Sequence, residues 1–163
     1  MNATWCLDDI PFVKGLTLCE RFFERAVKPI LDDAFPRLVC SAGRLGFGSD
    51  VLGYDTPRSR DHDWGPKVTL FLAEEDYLST RDAVDHLLAE RLPFEFEGFP
   101  THFGPPNVQG VRWMQPTDRR PICHGVTITT PGRFFRHYIG HDLDEPLEEI
   151  DWLLIPQQRL RTI

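Results

Sequence analysis

Between Gly15 and about Ala34 the apolar residues Leu18, Phe22, Phe23, Ala26, Val27, Ile30, Leu31 and Ala34 recur every three or four positions, and Pro36 then blocks continuation. The spacing predicts one long helix with a single buried face. A helix of that kind needs a second layer to cover it, and the segments that follow have the composition of strands. With 163 residues, 41% of them apolar, the chain is large enough for one compact domain that buries roughly 70% of its unfolded surface.

Leu38 to Phe47 is short, small-residue and glycine-containing, as a strand entering a tight turn at Gly48 would be. Asp50 to Arg60 reads as an exposed loop, and Asp61 to Leu72 as a strand that begins polar, is interrupted at Trp64-Gly65-Pro66 and ends in "VTLFL". Ser79 and Asp82 resemble a capping box opening a helix that Pro93 stops. "FEFEGF", Val108 to Met114 and Ile122 to Thr130 follow as strand candidates, then helices over Arg133 to Ile139 and Leu143 to Leu160. The resulting order, α-β-β-α-β-β-β-α-α, predicts an α+β fold: a mixed β-sheet with helices packed on it.

Charge and composition narrow the function classes. The formal net charge of −7 disfavours broad binding to a nucleic-acid backbone, although a patch from Arg58, Arg60 and Lys67 could meet a small anion such as phosphate. No apolar run approaches the ~20 residues needed to cross a bilayer, and nothing resembles a signal peptide, so a cytoplasmic protein is expected. Cys6, Cys19, Cys40 and Cys123 are widely spaced, which predicts reduced thiols rather than a zinc site or disulfide framework.

The chemistry concentrates between Gly48 and Asp63. On a strand, Asp61 and Asp63 would share one face with His62 opposite, and paired carboxylates of this kind attract hard divalent cations, Mg²⁺ or Mn²⁺. Gly46 and Gly48 permit close approach of backbone N–H groups to a ligand, and the Ser49 hydroxyl can donate to a phosphate oxygen. Arg58 and Arg60 add permanently charged, planar donors suited to phosphate.

A glycine-serine turn, eleven intervening residues and a D-x-D leading into an apolar strand resembles the DNA polymerase beta-like nucleotidyltransferase superfamily at Gly48, Ser49, Asp61 and Asp63. "GSDVLGYDTPRSRDHDWGP", "THFGPP" and "DWLLIPQQRL" look like uncharacterised bacterial proteins that carry a nucleotidyltransferase domain followed by a helical domain of unknown function. The resemblance implies a nucleotidyltransferase-like domain over 1–142, with 143–163 as a terminal helix that starts a further helical domain. It implies Asp61 and Asp63 as metal ligands, Gly48 and Ser49 on the phosphates with Arg58 or Arg60 assisting, and transfer from a nucleoside triphosphate such as ATP to a hydroxyl acceptor, a small molecule or protein. A third carboxylate is expected from a later strand: Glu95 and Glu97 are the candidates, if they are not simply the wet face of an edge strand. Without it, a nucleotide-binding or antitoxin-like interaction module is the alternative.

The remaining polar residues read more plainly. His102, His124, His137 and His141 have no ligand spacing, and Trp5, Trp64, Trp113 and Trp152 are scattered, with Trp64 placed to flank a nucleotide. The acidic run from Asp142 to Asp151 suits a helix start, while Leu147, Ile150, Leu153, Leu154 and Leu160 form an apolar face that could drive self-association or receive the further domain.

Overall fold

The structure, a computed structural model, describes residues 5–61 (Asp61 by its backbone alone), 64–141 and 145–156. The long helix forms in three parts: α1 (Gly15–Phe22), a π-helical turn (Phe23–Val27) and α2 (Lys28–Ala34). Pro29 explains the middle part, because its missing N–H and its ring forbid a regular bond to the preceding turn. The chain widens instead, with the Lys28 N–H donating to the Phe23 carbonyl five residues back.

Strands β1 (Cys40–Gly43), β2 (Lys67–Leu72) and β5 (Gly125–Thr129) form a mixed sheet in the order β1-β2-β5. Strand β1 runs antiparallel to β2 with Gly43 opposite Thr69, and β5 runs parallel to β2 with Gly125 opposite Lys67. Helix α3 (Glu74–Arg91) makes the crossover that a parallel pair requires. A separate two-stranded hairpin joins β3 (Glu95–Phe96) to β4 (Phe99–Pro100), and helices α4 (Pro131–Ile139) and α5 (Glu149–Leu154) follow β5.

The two faces of the sheet differ. Val68, Leu70, Leu72, Val126 and Ile128 point to one side, where they pack with Phe22, Val27 and Leu31 of the first helix and Val84 and Leu88 of α3. The register puts Lys67, Thr69, Phe71, Gly125, Thr127 and Thr129 on the other side. At one end of that side Phe134 of α4 packs against Phe71, and at the other Phe103 lies against Gly125 and Lys67. A second cluster under the hairpin holds Leu18, Trp64, Phe99, Phe103 and Met114.

The α+β class and the mixed sheet agree with expectation; several element assignments need correction. Residues 57–61 form a 3-10 turn rather than a loop leading into a strand, so Asp61 ends that turn and β2 starts only at Lys67. The Ser59 hydroxyl fixes the turn by accepting the Thr56 N–H and donating to the Thr56 carbonyl. Gly65, at φ +137°, then Pro66 break the extended run. Helix α3 begins at Glu74, not Ser79, because Glu74, Glu75 and Asp76 suit the positive helix start and the Ser79 hydroxyl bonds back to the Asp76 carbonyl.

No strand spans Val108 to Met114, only a bridge between Phe103 and Met114. The Asn107 side chain accepts the N–H groups of Gln109 and Val111 and closes a turn there instead. Of the last expected helix, Glu149 to Leu154 is helical, opened by a reciprocal capping box between Glu148 and Asp151, while 143, 144 and 157–160 lie outside the described residues. Among the described residues no helix is long and apolar enough to cross a membrane.

Candidate functional site

The strand directions bring one end of the sheet together. The end of β1 and the starts of β2 and β5 are neighbours, so the loop after β1, the segment before β2 and His124 all emerge there. The loop is fastened internally. Arg44 Nε donates to Asp50 Oδ2 at 2.7 Å, with both side chains largely buried, and the Ser49 carbonyl accepts the Tyr54 N–H at 2.8 Å. Gly46 and Gly48 sit at φ +94° and +142°, and a Cβ on Gly48 would collide with the Asp50 carboxylate.

Beside this loop, over the polar side of the sheet, lies a pocket of about 450 Å³. Its floor is Thr69, Thr127 and Thr129, and Arg44, Lys67, Arg112 and Arg133 border it. His137 and Tyr138 of α4 and Phe47 of the loop complete the wall. No carboxylate is among the described lining residues. Arg44 pairs with Asp50, and Lys67, Arg112 and Arg133 are the other cationic side chains of the lining.

Each cation is positioned by local structure. The Arg112 guanidinium donates to the carbonyls of Gly104 and Phe103 at 3.0 and 2.9 Å and stands over the Phe103 ring. Lys67 lies 5.0 Å from the centre of the same ring. Arg133 lies over Tyr77, on a helix whose start is capped by Thr130, which accepts the Arg133 N–H and donates to Glu74. His124 accepts the Val126 N–H at Nδ1 and meets the Asp85 carbonyl at Nε2, which puts its proton on Nε2. Nearby, burial and the Arg112 charge push His102 below its usual value, and its Nδ1 accepts the Cys123 N–H.

Of the residues expected from sequence, Arg60 and Glu97 are committed to other segments of the fold. Gly48 and Ser49 lie in the fastened loop, next to Phe47 of the pocket wall. Arg58 is exposed on the 3-10 turn. Arg60 is 5% exposed and committed to structure: Nη1 donates to the Ile10 carbonyl at 2.9 Å, Nε to the Pro57 carbonyl, and the guanidinium faces Phe12. Asp61 is placed by its backbone at the end of that turn, and Asp63 lies outside the described residues.

Trp64 is 3% exposed and packs edge-on against Phe99, so it belongs to the second core cluster. Glu95 is exposed on β3, while Glu97 sits at the hairpin turn at φ +50°, where its carboxylate accepts from Arg21 and Arg25, both at 3.2 Å. Their strand does not join the three-stranded sheet: β3 pairs with β4, and the strand that joins β2 after α3 is β5. Among the described residues no group of three histidine, cysteine, aspartate or glutamate side chains is arranged for a metal ion.

Sequence reasoning singled out Lys67 but missed Arg112, Arg133 and the threonines. The available signals were the alternation of threonine in "GVTIT" and the four-residue spacing of Arg133 and His137 on one helix side. No protein-family model, no curated protein and no solved structure matches this chain.

Proposed function

We propose that this chain binds a nucleoside triphosphate, with the phosphates in the cationic pocket over the threonine floor. The observation that carries the reading is local: a chain of net charge −7 gathers Lys67, Arg112 and Arg133 around one cavity without a carboxylate in its described lining. A volume of about 450 Å³ falls in the range of roughly 300–1,000 Å³ usual for small-molecule sites. Thr69 and Thr127 add hydroxyl donors of the kind that accompany arginine on phosphate oxygens.

Nucleotidyl transfer to a hydroxyl acceptor is the second reading, and strand direction favours it. The segment carrying Gly48 and Ser49 leaves β1, and the segment carrying Asp61 and Asp63 enters β2, at the same end of the sheet. Asp61 and Asp63 would hold the divalent ion, which supplies charge neutralisation on the triphosphate when bound. Binding without transfer has its own support: β5 contributes Gly125, Thr127 and Thr129 on the polar side, and no carboxylate.

Titration calorimetry with ATP and Mg²⁺ tests the first reading. Binding is expected for the natural chain, with Arg133→Ala and Lys67→Ala each weakening it by about tenfold, the worth of one charge-assisted contact. Absence of heat at millimolar nucleotide refutes it. Pyrophosphate release, abolished in Asp61→Asn and Asp63→Asn while ATP still binds, would establish transfer; retained release in both variants would remove those aspartates from the chemistry.

A further inference from the structure

Phe47 is a large apolar side chain held out in solvent, 61% exposed, at the tip of a loop that the Arg44–Asp50 pair fastens across its base. Its ring leans on Tyr138 at 5.3 Å, and Tyr138 leans on Phe134 at 4.3 Å, so three aromatic rings form a continuous wall along one side of the pocket. The glycine at 46 lets the loop come this close, since a Cβ there would collide with the Tyr138 ring. An exposed, rigidly presented ring beside a cationic cavity has the two halves of a nucleotide site, a flat apolar face and an anion cradle.

Resting on the phosphate-binding reading, we infer that Phe47 stacks on the base of the bound nucleotide, so that the pocket prefers nucleoside phosphates to inorganic polyphosphate of equal charge. Fastening the loop keeps the ring in place before any ligand arrives, which lowers the ordering cost of stacking. Tyr138 supports Phe47 from behind and acts through it. The lining thus joins an aromatic part, Phe47, Phe134 and Tyr138, to a polar part, Lys67, Arg112, Arg133 and the threonine floor.

Calorimetry with ATP and with tripolyphosphate, each with Mg²⁺, separates this assignment from the reading beneath it. The natural chain is expected to bind ATP about tenfold more tightly than tripolyphosphate. Phe47→Ala should erase that preference while leaving tripolyphosphate affinity within about twofold, and Phe47→Trp should keep it. Equal affinity for the two ligands in the natural chain, or an equal loss of both in Phe47→Ala, overturns the stacking role while the phosphate pocket stands. Failure of the natural chain to bind tripolyphosphate or ATP overturns both. Unchanged melting temperatures of the two variants exclude a folding effect.

Discussion

Single residues decide whether the loop beside the pocket can exist. Gly48 occupies a backbone region closed to other residues and faces the Asp50 carboxylate, so Gly48→Ala is expected to cost about 1–3 kcal/mol in denaturant unfolding. Gly15 is a related case: an added Cβ would stand 2.5 Å from that of Asp50, in a wall that cannot yield without disturbing the Arg44 pair. Cys19, buried under the same wall, has its thiol pushed up to about 11 by burial. A raised thiol value favours the protonated form, so native Cys19 should resist alkylation at pH 8 while exposed Cys6 and Cys123 react; mass spectrometry of the labelled native protein checks this.

His102 carries a pH dependence of the opposite kind. Its value is lowered from 6.5, chiefly by burial and then by Arg112, so the unfolded chain binds the proton more readily than the folded one. The neutral ring's contribution is therefore complete above about 6.5 and is lost as pH falls from there toward the folded value. Unfolding midpoints measured in that window should decline with falling pH, and His102→Gln should flatten the slope.

At the scale of elements, the caps and turns carry sharper information than the strands. Thr130 caps α4 and ties it to Glu74 at the start of α3, so Thr130→Ala should lower stability by about 1–2 kcal/mol and loosen the helix that presents Arg133. Thermal melts of the variant, together with weakened ATP binding, check both parts. The first helix is legible because its stripe of apolar residues is long; the π turn within it leaves the stripe unbroken, and only Pro29 marks the spot. The expected order of elements matches the observed one, yet by compensation: "FEFEGF" folds into two strands, and Val108 to Met114 into none. Glu97-Gly98 forms that hairpin's turn, both residues at the positive φ that a two-residue turn demands, and the lone glycine is the one sequence signal for it. Asn107 made the lost strand readable only through its side chain, which competes with the ladder.

For the whole molecule, composition and sequence motifs pointed to the end of the sheet beside which the pocket lies, and also to residues that the fold uses elsewhere. Gly48, Ser49 and Lys67 lie at that end, whereas Arg60 and Glu97 spend their charges on holding other segments together. Local spacing cannot reveal such commitments, because Ile10 is 50 residues from Arg60 and Arg21 is 76 from Glu97. The threonine floor likewise arises from the pairing of β2 with β5 across an intervening helix, a register that no short motif encodes. A pocket built this way predicts salt-sensitive binding: raising ionic strength from about 0.05 to 0.5 M should weaken ATP association severalfold.

The Arg44–Asp50 fastening has a kinetic corollary. Where a buried ion pair holds the loop of the rim before a guest arrives, capture is governed by encounter and charge attraction, with departure setting the residence time. In rapid mixing, the observed rate should then climb in a straight line with nucleotide concentration and show no plateau. Cutting the fastening with Asp50→Ala should bend that line toward saturation, as the rim begins to move on its own clock.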